Sequence, residues 1–119
     1  MKRLDIAQLV TQLDGTPYIK EFGDAGKPVH WTIRTLLIDT IQSVAMLGTD
    51  DAVLIWDIGL RLVGYTKKTI DIEDTPFNKL RAAYKHPQAL LTKENWVKAN
   101  IGKALETAED INPDEKPAE

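Results

Sequence analysis

Carboxylates form the densest group of potential metal ligands in this sequence. Asp71, Glu73 and Asp74 are almost adjacent, and clustered carboxylate oxygens are what a calcium site requires. The segment lacks the glycine and the distal glutamate of an EF-hand loop. Pro76 follows at a point where proline favours the first turn of a helix. We therefore interpret these acids as the start of a helix and expect no metal site.

The sequence also lacks a recognisable motif for nucleophilic catalysis. The only serine, Ser43, falls inside a predicted helix without a motif that would expose its hydroxyl group. His30 and His86 lie in different segments, and the chain has no cysteine, so neither triad nor ligand spacing occurs. Asp39 and Asp57 could face each other across two helices, but helical sequences produce such pairs routinely. We expect the protein not to be an enzyme.

A nucleotide cofactor would need a glycine-rich turn that opens directly into a helix, whose first amides bind phosphate. The candidate turn contains Gly23 and Gly26, but Pro28 and a strand-like run follow it. We expect no cofactor.

A small basic group is the best candidate for nucleic-acid binding. Lys79, Arg81 and Lys85 lie close together on a predicted helix, with Tyr84 beside them as a possible stacking group. The alternative is an ordinary solvated helix face. The net charge is −3, and residues 106–119 carry six acids against one lysine, so phosphate would be repelled there. Because of this negative charge, we do not expect nucleic acid to be the partner.

Four helices are predicted to carry most of these residues. Thr32 is a suitable N-cap for an amphipathic helix that reaches residue 47. The next helix, residues 49–63, should begin at a Thr49 cap and end at Gly64. The third starts at Asp74 or Thr75, and the fourth follows a Thr92 cap. The short link between the first two predicts antiparallel neighbours.

The second helix has too many apolar residues for a single stripe. They are Val53, Leu54, Ile55, Trp56, Ile58, Leu60, Leu62 and Val63. A helix that is apolar on most sides is normally covered on most sides. We expect it to be the centre of the domain, and we expect Trp56→Ala to cost roughly 3–5 kcal/mol.

Short strands complete the predicted fold. Residues 9–13 and 18–22 form a hairpin around the turn at 14–17 by this interpretation, and residues 29–31 are a possible third strand. Residues 69–73 alternate polar and apolar side chains, as a half-buried strand does, and may pair with the N-terminal segment. The predicted class is α+β, mainly α: a four-helix core with a short N-terminal β-hairpin and one additional short strand.

The organisation expected along the chain has three parts. Residues 1–31 form a strand segment packed on the core, residues 32–110 form the helical core, and residues 111–119 form a disordered acidic tail. No apolar run approaches the roughly 20 residues of a membrane span, and the N-terminus does not read as a signal peptide. We expect a cytoplasmic protein without a membrane partner.

The order of motifs resembles a family of small uncharacterised proteins of tailed bacteriophages and prophages. The residues that carry the resemblance are Asp14-Gly15-Thr16-Pro17, Trp31-Thr32-Ile33-Arg34-Thr35-Leu36-Leu37, Trp56-Asp57-Ile58-Gly59-Leu60-Arg61-Leu62 and Ile70-Asp71-Ile72-Glu73-Asp74. The likeness covers roughly residues 9–105 and names no catalytic residue. It implies a viral or prophage gene expressed in a bacterial cell.

These observations favour a non-enzymatic protein-interaction or assembly protein. Strands this short need support from helices or from another chain, and an exposed strand edge is a natural docking surface. We predict Tyr18, Phe22 and Trp31 as interface residues, with a second copy or a phage or host protein as the partner. Two alternatives stay open: a regulatory nucleic-acid-binding protein that uses the basic group, and a sponge-like protein or enzyme with a small-molecule pocket between subunits that involves Trp31, His30 or Tyr18.

Overall fold

The computed structural model describes residues 1–42, 48–85 and 95–111, which form four α-helices and five short strands. The helices are α1 (Ile33–Ile41), α2 (Thr49–Leu62), α3 (Asp74–Lys85) and α4 (Asn95–Glu106). The strands are β1 (Lys2–Asp5), β2 (Ile19–Phe22), β3 (Pro28–His30), β4 (Thr69–Ile72) and β5 (Glu109–Asp110). The predicted class, α+β with mainly helices, is confirmed.

One antiparallel sheet joins the ends of the described chain in the order β4-β1-β5. The predicted strand at residues 69–73 is confirmed as β4, and its partner is indeed N-terminal. That partner is β1, with Leu4 opposite Ile70, and both side chains are buried. Arg3 and Asp71, also opposite each other, form an ion pair of 2.9 Å between Nε and Oδ1. The sheet therefore has an apolar inner face and a charged outer face.

The hairpin lies later in the chain than the sequence predicted. Strand β2 pairs with β3, whereas residues 9–13 contribute only isolated bridges from Leu9 to Thr32 and from Thr11 to Pro17. The predicted turn is present, with Gly15 at φ +88°. Val10 explains the difference, because its amide donates to Trp31 O and its carbonyl accepts from Tyr18 N. The 9–13 segment crosses the end of the hairpin instead of forming one of its strands.

The predicted helix boundaries are confirmed in part. Thr32 caps α1 through a reciprocal capping box with Thr35. Gly64, at φ +75°, follows the end of α2 as predicted. Thr49 is not a cap, because Gly48 occupies that position and Thr49 is already helical. The predictions at residues 43–47, at Pro87 and Thr92, and for the tail beyond residue 111 lie outside the described residues.

The core combines the inner face of the sheet with one side of each helix. Its largest fully buried side chains include Phe77, Leu4, Ile6, Ile33, Leu36, Leu37, Ile55 and Ile58. Thr40 is the one buried polar side chain among the described residues, and its hydroxyl group lies 2.6 Å from the Tyr84 hydroxyl. Burial raises the pKa of Tyr84, so this tyrosine stays neutral and hydrogen-bonded.

The described elements cover helix α2 on one side, which contradicts the prediction that it is wrapped by its neighbours. Ile55, Ile58 and Leu62 are buried against the rest of the core, with α1 and α3 alongside. Trp56 is 51% exposed. The prediction was wrong because the apolar residues of α2 form two stripes, and the described elements cover just one of them.

Two aromatic truncations should separate the buried stripe from the exposed one. Phe77 is fully buried, so Phe77→Ala should lower the free energy of unfolding by about 3–5 kcal/mol. Trp56→Ala should cost only about 1 kcal/mol, because half of this side chain is already in water. Urea titration at low protein concentration measures both values. Equal losses would show that Trp56 is buried after all.

Candidate protein-interaction surface

The exposed apolar side chains of α2 form a continuous row, here called the α2 stripe: Val53, Trp56, Leu60 and Val63. Their exposed fractions lie between 51% and 63%. The spacing of three, four and three residues places all four on one side of a helix, as the a and d positions of a heptad do. Val63 is the C-cap of the helix, so the stripe runs along its whole length.

A shallow groove adjoins the stripe where α2 meets α1. It has a volume of about 170 Å³ and is lined by Ile38, Ile41, Gln42, Trp56, Gly59, Leu60 and Val63. The two helices approach closely at Gly59, because a Cβ atom there would lie 3.3 Å from Ile41 Cγ2. We call this feature the Gly59 groove. The absence of a side chain at residue 59 both lets the helices approach closely and leaves room beside the stripe.

Charged residues mark the two ends of α2 with opposite signs. Asp50 is exposed in the first turn, where the helix dipole favours negative charge. Lys67 and Lys68 are exposed in the turn that follows the last residue of the helix. Asp57 is exposed on one flank of the stripe, about halfway along. The face thus has an apolar middle, an acidic end and a basic end.

The aromatic residues predicted as interface residues lie around the hairpin, and two of the three contact Trp96. Tyr18 stacks on Trp96 of α4 with 4.2 Å between ring centroids, and Trp31 lies 6.3 Å from the same ring. Lys20 Nζ lies 5.4 Å from the Trp31 ring. Phe22 is 67% exposed. Tyr18 and Trp31 therefore hold the hairpin against α4, and Phe22 is the most accessible of the predicted three.

An open cleft of about 820 Å³ lies beside this aromatic group, and it bears on the small-molecule alternative. Its walls are Thr11, Gln12, Leu13, Tyr18, Asn95, Trp96, Ala99 and Asn100. Acids and bases that would fix a charged ligand do not occur among these residues. His30 is not part of this wall.

The predicted nucleic-acid-binding residues are brought together on α3 but are largely engaged by acids. Lys79 Nζ lies 3.3 Å from Asp51 Oδ1, and Lys85 Nζ lies 2.9 Å from Glu106 Oε1. The hydrogen bond from Lys85 and its charge lower the pKa of Glu106, and Arg81 adds to this effect. Tyr84, the candidate stacking group beside them, points into the core instead.

Two of the three clustered acids, Asp71 and Asp74, form ion pairs within the fold. Asp71 pairs with Arg3, and Asp74, the first residue of α3, lies 2.6 Å from the amino group of Met1. Within the described ranges, histidine and carboxylate side chains form no group of three that could hold a metal ion. Ser43 and His86 lie outside those ranges.

In comparisons with known proteins, no family model, curated protein or solved structure shows significant similarity to this chain. In the part of the chain that the structure describes, each helix is too short or too polar to cross a membrane.

The α2 stripe is the feature that sequence reasoning missed. All four residues were recognised as apolar, but they were assigned to the core together with Ile55 and Ile58. The sequence does contain a signal for the stripe: its residues and the buried residues lie at different angles around the helix axis. Asp50 and Asp57 lie on one border of the stripe. Of the two apolar stripes on α2, the described elements bury one and leave the other exposed.

The ion pair between α3 and α4 can be tested through Glu106. Lys85→Met should raise the pKa of Glu106 toward its ordinary value of 4.5, because the hydrogen bond and positive charge are lost. Since the folded-state pKa is the lowered one, the pair stabilises the fold at neutral pH. That contribution disappears as the pH falls through the acidic range below 4.5. Carbon-13 NMR titration measures the pKa.

The matched control for this titration is Lys20→Met, which removes a lysine that pairs with Glu21 on the hairpin. It should leave the Glu106 titration unchanged. A Glu106 pKa that does not move in Lys85→Met would show that solvent screens the pair.

Proposed function

We propose that this chain is a non-enzymatic assembly protein whose α2 stripe and Gly59 groove bind a second copy of the same chain. The observation that carries the proposal is the exposure of the stripe. The largest contiguous apolar patch on a folded protein, typically several hundred Å², is often an interaction surface. Removing such a row from water favours association, although lost translational and rotational freedom offsets much of the gain.

A second copy is favoured because the surface contains complementary features of its own. Trp56 projects beside the Gly59 groove, so one face carries both a protruding aromatic ring and an apolar depression. A patch that contains both parts can bind an identical patch across a two-fold axis, which is the usual arrangement of homodimers. Tryptophan is also enriched among the residues that dominate interface energies.

The size of the surface sets the expected strength of binding. α2 has 14 residues, so it is about 21 Å long, and the groove widens the face toward α1. A face of this length and about two helix diameters wide gives roughly 400 Å² per copy and 800 Å² in total, which is below the size of stable interfaces and fits a weak, transient contact. We expect a dissociation constant of about 1–100 μM, which suits reversible assembly.

Nucleic-acid binding has less support, because Lys79 and Lys85 already contact Asp51 and Glu106. A phosphate backbone would have to displace those carboxylates. The small-molecule alternative has the open cleft beside Trp96 but lacks charged groups among the lining residues to orient a ligand.

The resemblance of residues 9–105 to small bacteriophage proteins supplies the biological setting of the proposal. An assembly protein of this kind would act in the cytoplasm of an infected or lysogenic bacterial cell. Its partner there is another copy of itself, and its action requires no cofactor.

Sedimentation of the purified chain tests self-association. The weight-average mass should rise with concentration from the monomer value of 13.3 kDa toward twice that value. Leu60→Lys should abolish the rise, because it places a charge in the middle of the stripe. Phe22→Lys is the matched control: it makes the same charge change at another exposed apolar residue, 67% against 60% exposed, and should leave the rise intact.

Both variants should unfold at urea concentrations close to that of the parent chain, since both residues are exposed. A parent chain that remains monomeric up to several hundred micromolar contradicts the proposal. Loss of association in Phe22→Lys but not in Leu60→Lys would move the interface to the hairpin.

A further inference from the structure

We infer that the two copies pair antiparallel along α2, so that Trp56 of each copy enters the Gly59 groove of the other. The inference rests on the proposed self-association and adds its geometry. Two-fold symmetry allows a pair of identical helices to be either parallel or antiparallel. The positions of the aromatic ring and the groove on α2 distinguish these two arrangements.

The ring and the groove are displaced from each other along the helix. Among the α2 residues that line the groove, Trp56 is the most N-terminal, and Gly59, Leu60 and Val63 follow it along the helix. In a parallel two-fold pair, each residue lies at the same height along the axis as the equivalent residue of the second copy. Trp56 would then meet Trp56 and leave both grooves empty. An antiparallel pair centred at the level of Ile58 places Trp56 beside Leu60 of the second copy. Both grooves are then filled at once.

The same register matches the rest of the stripe. Val53 and Val63 lie at equal distances in sequence from Ile58, as Trp56 and Leu60 do, so the valines meet at the two ends. The groove also has a suitable size, because an apolar cavity of roughly 150 Å³ accepts a benzene ring and this one measures about 170 Å³. The arrangement therefore covers all four stripe residues with one operation.

The end charges favour the antiparallel pair as well. It brings the acidic first turn with Asp50 toward the turn with Lys67 and Lys68 of the second copy, at both ends of the contact. It also opposes the two helix dipoles, whereas a parallel pair would align them. Because these residues are exposed, the attraction should weaken with added salt.

Asp57 provides an independent marker of the geometry. In the antiparallel register, residue 57 lies about 3 Å along the axis from residue 57 of the second copy, on the same flank of the seam. The two carboxylates then repel each other weakly. In a parallel pair this flank faces the opposite flank of the second helix, where Ala52 and Gly59 lie. Repulsion at Asp57 is therefore specific to the antiparallel pair.

Thiol cross-linking measures the arrangement directly, because the chain contains no cysteine of its own. The variants are Asp57→Cys and Asp50→Cys, treated at dimer-forming concentration with a short bismaleimide. In the antiparallel pair the two residues 57 are neighbours, whereas the two residues 50 are about 24 Å apart along the axis. Asp57→Cys should give covalent dimer, and Asp50→Cys should give little. Phe22→Cys, on the hairpin, supplies the background.

A second variant tests the register without a cross-linker. Asp57→Asn should tighten the dimer about twofold to fivefold in sedimentation, because removing one weak like-charge contact has an effect of that size. Asp50→Asn should weaken it or leave it unchanged, because its partner in this register is basic.

The outcomes separate the two proposals. Equal cross-linking at residues 50 and 57, or a dimer that neither variant cross-links, overturns the antiparallel pair while self-association stands. An unchanged affinity in Asp57→Asn also counts against this register. Absence of any dimer in sedimentation overturns both proposals.

Discussion

The burial of one side of α2 determines both the core and the surface of this protein. Ile55, Ile58 and Leu62 are fixed against the other elements, so the remaining apolar residues of the same helix must point outward. A helix cannot rotate to hide the second stripe without exposing the first. The exposed row with Trp56 and Leu60 is thus a direct consequence of how the core is packed.

Several features followed from local signals and were predictable for that reason. The Thr32 side chain bonds to Thr35 three residues later, Gly64 supplies the positive φ that follows α2, and the strand at 69–73 shows its alternation within five residues. The fold class followed from the same signals. Local chemistry is readable from one sequence because its partners lie within a few residues.

The features that were missed depend on residues far apart in the chain. Strand β1 has four residues, too few for alternation to show, and it is held by β4 more than sixty residues later. Lys79 was the kind of residue that could contact phosphate, but Asp51 on α2 engages it, and sequence alone does not show that contact. Trp56 was assigned to the core because sequence alone identifies an apolar residue without indicating which neighbours cover it.

Gly59 connects the packing of the helices to the proposed interface. Glycine inside a helix costs about 1 kcal/mol relative to alanine, so its presence on α2 needs a reason. The approach of Ile41 gives one, since even a methyl group at residue 59 would crowd it. The same missing side chain leaves the groove beside Trp56. Close packing inside one copy and a site for the ring of a second copy therefore arise from a single residue, and a larger side chain there would disturb both.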